Sequence, residues 1–113
     1  MAAAEQPAQH QPNRIQVSSA KKPLFFYVNL AKRFLQNHDV VELSALGTAV
    51  MSAVTVAEIL RNNNLTVTQR VQTDLVEVWD DGKGRAVHKA KVEIAVVKSE
   101  QFEEVMEASR GQQ

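Results

Sequence analysis

No cysteine occurs among the 113 residues of this chain. That excludes disulfide frameworks, thiolate metal sites and cysteine nucleophiles, and it fits a reducing compartment. No stretch approaches the roughly 18 consecutive apolar residues of a membrane-spanning helix. The N-terminus lacks the charged and apolar regions of a secretory signal. A soluble, intracellular protein with no membrane partner is therefore expected. Aromatic residues are scarce: one Trp, one Tyr and four Phe. Excess charge is lacking too, because 13 Lys and Arg balance 13 Asp and Glu. The length suits one domain with tails, large enough to bury a core without staples.

The zero net charge is unevenly distributed. Residues 1–13 carry −1 and residues 99–113 carry −3, whereas residues 14–98 hold 12 Lys and Arg against 8 Asp and Glu. The central part is mildly basic, which permits a nucleic-acid partner without demanding one.

Residues 1–13, rich in Ala, Gln and Pro, read as a disordered tail. Arg14 to Val17 alternate, with Ile15 and Val17 inward, as a short strand. Pro23 fits the first position of a helix reaching about Asn37, because its missing N–H would have no partner there. Leu24, Val28, Ala31 and Leu35 share one face of that helix. A turn at Asn37-His38-Asp39 leads into a strand over Val40–Ala45. A second helix runs from about Gly47 to Asn62. It is uncharged from Ala49 to Ala57 and apolar on most sides, so more than its own sheet must cover it, either the other helix or a second subunit.

After the break at Asn62-Asn63-Asn64, a strand extends from about Leu65 to Trp79. Asp80-Asp81-Gly82-Lys83-Gly84 carries the Asp-Gly hairpin signal. The last strand, Arg85–Lys98, has Val92, Ile94 and Val96 inward. Residues 99–113 read as a short acidic C-terminal helix and tail through Phe102, Val105 and Met106. The order is β-α-β-α-β-β, an α+β two-layer sandwich with an extended hairpin. Its strand-helix-strand pieces imply parallel neighbouring strands.

Two groups of residues invite a functional reading. Lys21 and Lys22 stand where a strand gives way to a helix; they read either as phosphate ligands or as two solvated lysines before a core helix. Arg85, Lys89 and Lys91 have equal parity on the last strand and so share a face. Lys89 and Lys91 lie about 6.6 Å apart at about 3.3 Å per residue, near the interval between phosphates along an extended strand. Lys83 adds charge at the tip. The alternative is an ordinary edge hairpin kept soluble by lysines. Trp79, near the tip, offers a ring for base stacking, and Tyr27 is the aromatic residue best suited to reach a rim with its hydroxyl. The backbone N–H groups opening the second helix at Leu46-Gly47-Thr48 read either as phosphate ligands or as a plain helix start.

Catalytic constellations are missing. His10, His38 and His88 are scattered, with no second ligand at metal-binding spacing. Asp80-Asp81 sits at a turn with nothing to exclude water, and Gly82-Lys83-Gly84 lacks phosphate-loop spacing. Neither an enzyme, a metal site nor a cofactor is expected.

Together these residues resemble the Alba family of nucleic-acid-binding proteins, in particular its plant-type members. The matching stretches include Ile15-Gln16-Val17-Ser18, Lys21-Lys22-Pro23-Leu24-Phe25-Phe26-Tyr27-Val28, Glu42-Leu43-Ser44-Ala45-Leu46-Gly47-Thr48-Ala49, Val56-Ala57-Glu58-Ile59-Leu60-Arg61-Asn62 and Lys89-Ala90-Lys91-Val92-Glu93-Ile94. They cover residues 14–98, the Alba-like domain. The resemblance implies an Alba-like sandwich and a dimer built around the second helix, through Val50, Val54, Ala57 and Leu60. It implies binding of RNA, RNA–DNA hybrid (as in R-loops) or DNA through the backbone, by Lys21, Lys22, Tyr27, Lys83, Arg85, Lys89, Lys91 and Trp79.

Archaeal members have arginines flanking the glycine before the second helix, where this chain has Leu46 and Thr48. That departure argues against coating duplex DNA as a chromatin protein and aligns the chain with RNA or hybrid binders. A role in RNA metabolism or genome maintenance, in nucleus and cytoplasm, is expected. The alternative is a protein-interaction subunit, heterodimerising with a related Alba-like chain in a particle of ribonuclease P or MRP type.

Overall fold

In the computed structural model, which describes residues 13–111, alternating apolar side chains bring four strands into one sheet. The strands are β1 (Arg14–Gln16), β2 (Val40–Leu46), β3 (Thr66–Asp80) and β4 (Arg85–Lys98), in the spatial order β1-β2-β4-β3. β1 and β2 are parallel, and β4 runs antiparallel to both β2 and β3. The expectation of parallel neighbours therefore holds for the first pair and fails for the second. β2 and β3 point the same way, but β4 lies between them. The hairpin keeps β4 beside β3, while its Val92, Ile94 and Val96 match Ala45, Leu43 and Val41 of β2.

Helices α1 (Leu24–Leu35) and α2 (Ala49–Asn62) cover one face of this sheet, and α3 (Phe102–Gly111) follows β4. The core joins Ile15, Val17, Leu43, Val92, Ile94 and Val96 of the strand segments to Val28, Ala31, Leu35, Ala53, Val56 and Leu60 of the helices. Each fully buried Val or Leu contributes about 1.5–3 kcal/mol of transfer free energy. Pro23 stands one position earlier than expected: it is the extended residue before α1 (ψ 159°), and its carbonyl accepts the Phe26 N–H at 3.0 Å. Asn64, at φ 63°, ends α2 in the left-handed conformation that asparagine tolerates better than most side chains. Leu65, expected to open the strand, is buried just before it. α3 is anchored by Phe102, which is fully buried. Ser99 sets its start, because the Ser99 carbonyl accepts the Phe102 N–H and its Oγ accepts the Gln101 N–H.

Residues 1–12 of the expected tail lie outside the described residues. Asn13 belongs to the fold: its amide donates to the Val40 carbonyl at 3.0 Å, and its own carbonyl accepts the Glu42 N–H at 2.9 Å. On β3 the register shifts between Thr68 and Arg70, leaving Gln69 without a counterpart on β4. Beyond Val92 the hairpin outruns the helices, and the molecule measures 52 × 32 × 20 Å.

Candidate nucleic-acid interface

The lysine pair lies in the link between β1 and α1, and local hydrogen bonds shape that link. Ser18 Oγ accepts the Ala20 N–H at 3.3 Å, and the Ser18 N–H donates to the Tyr27 hydroxyl at 3.2 Å. Ser19 Oγ lies 3.3 Å from Thr48 Oγ1, which ties the link to the start of α2. Lys21 and Lys22 are exposed on this braced loop, and Lys22 Nζ sits 5.0 Å from the centre of the Phe26 ring. Tyr27 does not reach the rim. Its ring is 5% exposed, so it cannot stack on a base; its hydroxyl instead holds the loop backbone. Phe25 and Phe26 are the exposed rings here. The helical spacing that puts Tyr27 inward with Val28, Ala31 and Leu35 was available in the sequence.

Gly47 connects β2 to α2 at φ +62°, a conformation that favours glycine. Its N–H donates to the Ala90 carbonyl at 2.7 Å, so this group is not free for a phosphate, which favours the plain helix start of the two readings. The same bond brings β4 beside the start of α2. The Lys89 side chain crosses there, its Cδ 3.4 Å from where a Cβ on Gly47 would stand. Lys21, Lys22 and Lys89 thus gather at one edge, around the start of α2.

Lys91 behaves differently. Arg85, Lys89 and Lys91 keep equal parity, with Lys91 on the helix-free face of the sheet, where an ion network absorbs it. Arg14 donates to Glu42 and Glu93, both at 3.0 Å, and to Ser44 Oγ at 3.1 Å. Arg70 reaches Glu42 at 2.8 Å, and Lys91 Nζ lies 3.6 Å from Glu93. Burial alone would raise the Glu93 carboxyl. The Arg14 hydrogen bond and the Lys91 and Arg14 charges outweigh it and hold the group below its ordinary range. Lys91 is therefore a paired residue, not a free phosphate ligand. Among the described residues, no carboxylate lies within ion-pair distance of Lys21, Lys22, Lys83, Arg85 or Lys89.

The arm has two unlike faces. Register places Val76 and Asp80 with Lys89 and Arg85 on one face, and Val71, Leu75 and Trp79 with Ile94, Ala90 and Ala86 on the other. Trp79 is 63% exposed, but on the side away from Arg85 and Lys89. With Val71 and Leu75 it forms an exposed apolar stripe on the helix side of the sheet, the side that also carries exposed Met51 and Val54 of α2. Of the expected dimer contacts, Val54 is exposed and Val50 half-buried. Ala57 and Leu60 are buried in the chain's own core, which removes them from any surface. Met51, by contrast, is 78% exposed. α2 is thus covered mainly by its own sheet and by α1, and a narrow apolar strip remains.

The two-layer α+β domain with a projecting hairpin thus sets, around the start of α2, lysines that have no carboxylate within ion-pair distance among the described residues. The Alba family model matches residues 13–74, and the chain belongs to the Alba family. An uncharacterized protein of Arabidopsis thaliana is 59% identical over 97 residues, covering 86% of this chain and 75% of that one. The crystal structure of ALBA1 from Trypanosoma brucei is similar with a TM-score of 0.74 at 26% identity, covering 89% of this chain and 82% of that one. Alba from Thermoplasma volcanium gives a TM-score of 0.67 at 25% identity, covering 76% of this chain and all of the archaeal one. The plant-type relationship and the Alba arrangement of the fold agree with the reading of the sequence.

Proposed function

We propose that this protein is a non-enzymatic binder of nucleic-acid backbone, taking RNA, RNA–DNA hybrid or DNA as a dimer, in RNA metabolism or genome maintenance in nucleus and cytoplasm. The observation that carries this reading is the difference in pairing among the cations. Lys21, Lys22, Lys83, Arg85 and Lys89 have no carboxylate within ion-pair distance among the described residues. Phosphate contacts by such cations release condensed counterions, and this drives association. Recognition is led by shape, because no helix among the described residues is presented for reading base edges in a groove.

The exposed apolar residues Met51, Val54, Val71 and Leu75 support association with a second chain. Pairing across them would set two lysine loops side by side with an arm on each flank. The same strip equally fits a related Alba-like chain, which keeps a heterodimeric subunit of a ribonucleoprotein particle as the second reading.

Titration of structured RNA, single-stranded RNA, duplex DNA and hybrid at several salt concentrations tests both. The first reading expects binding whose logarithm falls linearly with log salt. With both Lys21 and Lys22 changed to Ala, that slope should flatten by about 0.9 per lost duplex phosphate contact. An unchanged slope overturns the assignment of the lysine pair. Weak binding to all four ligands by the isolated protein, restored by a related chain, favours the second reading.

A further inference from the structure

The outer side of α1 is not used by the interface above. Phe26, Asn29, Lys32 and Arg33 of α1 face Met106 and Arg110 of α3 across a groove of about 410 Å³. Phe26 stands at its mouth, with Lys22 Nζ 5.0 Å from the ring centre, so the groove opens directly from the lysine loop. Lys32 and Arg33 have no carboxylate within ion-pair distance among the described residues. On α3, Glu103 lies 3.9 Å from Lys98 and Glu107 pairs with Arg110, while Glu104 has no such partner among the described residues; none of the three lines the groove, whose α1 wall is positive through Lys32 and Arg33. From Phe26 to Arg33 the helix rises about 10 Å at about 1.5 Å per residue, room for about two nucleotides of a strand stretched to about twice the duplex's 3.4 Å per-strand spacing.

We infer that this groove binds a single-stranded nucleic-acid segment continuing from the Lys21–Lys22 loop, a base lying against Phe26 and phosphates against Lys32 and Arg33. The inference rests on the nucleic-acid reading above and adds a second, strand-selective contact to it. A duplex does not fit: its major groove, about 12 Å wide, admits a helix rather than entering a slot between two. An unpaired strand exposes the base faces that an aromatic ring can stack on. The site also depends on α3. The archaeal Alba is covered in full by 76% of this chain, a share close to the span from β1 to β4, and the family match ends at residue 74.

The test compares a blunt RNA–DNA hybrid with the same hybrid carrying a ten-nucleotide single-stranded overhang, using the full chain. The overhang should tighten binding on the order of tenfold, the effect of one stacked base, and steepen the salt slope by about 1.4 for two single-strand phosphates. The double variant Lys32→Ala, Arg33→Ala should remove the added slope, and Phe26→Leu most of the added affinity, while blunt-hybrid binding by the Lys32→Ala, Arg33→Ala protein stays unchanged. Equal affinity of the wild type for blunt and overhung ligands overturns the inference, as does an overhang effect that survives all three substitutions. Loss of the overhang effect to an acidic-peptide competitor that leaves these substitutions without consequence also overturns it. Failure to bind any of these ligands, blunt ones included, would instead overturn the nucleic-acid reading itself.

Discussion

The Arg14 cluster on the helix-free face of the sheet and the edge around the start of α2 each gather three cations and do opposite things with them. On the sheet face, Arg14, Arg70 and Lys91 are held by Glu42 and Glu93 at 2.8–3.6 Å. At the edge, Lys21, Lys22 and Lys89 have no such partners among the described residues. Proximity of basic residues is thus a poor guide to where an anion will sit; what matters is whether a carboxylate already answers each charge. The first group ties β1, β2, β3 and β4 together, and the second has no carboxylate within ion-pair distance among the described residues.

The largest effect expected from this contrast is on stability. Arg14→Ala removes the bridge between two partly buried carboxylates, leaving Glu42 with Arg70 and Glu93 with Lys91, and should cost about 1–3 kcal/mol of unfolding free energy in a urea titration, leaving the salt dependence of binding untouched. A neutral result would mean that the network is merely a surface ornament. Next, Lys21→Ala with Lys22→Ala should flatten the duplex salt slope by about 1.8 and change stability by less than about 0.5 kcal/mol. A large loss of stability there would erase the distinction between the regions.

An acid titration sharpens it further. The folded state lowers the Glu93 carboxyl below its ordinary value of 4.5 through Arg14 and Lys91, despite burial. Its contribution is therefore present above pH 4.5 and disappears as pH falls through the lower folded value. Glu93→Gln should remove that part of the acid-induced loss, measured as unfolding free energy against pH. The smallest change should come from the tip: Lys83→Ala should shift the slope by no more than about 0.9 and leave the melting temperature alone.

Most of the fold was legible because its signals are local. Alternation in Arg14–Val17 and Val92–Val96, the helical repeat of Leu24, Val28, Ala31 and Leu35, and the Asp-Gly turn each report a backbone period directly. The sheet order was not legible in this way, because nothing near β3 states that β4 will insert between it and β2. The site divided along the same line. Parity correctly grouped Arg85, Lys89 and Lys91, yet the pairing of Lys91 depends on Glu93 as held by Arg14, a residue 79 positions away in sequence. Tyr27 and Leu60 failed as surface residues for a simpler reason: both lie on the buried stripe of their helices, and that stripe was already visible. Met51 was not singled out, although the same helical repeat that buries Ala53, Val56 and Leu60 turns position 51 outward.

The unpaired Gln69 has a reach well beyond its own position. Before it, Thr66 and Thr68 share a side with Lys98 and Val96; after it, the odd-numbered Val71, Thr73 and Leu75 do. One supernumerary residue thus switches the parity of everything distal to it on β3. Deleting it would close the bulge and keep every distal pair, whereas pairing it in step with Ala95 would transpose the greasy and hydrophilic sides of the whole limb, setting Asp74 opposite Ala90 and Leu75 opposite Lys89. The handedness of the arm's chemistry is therefore set at its root, by a count of residues rather than by any side chain along its length.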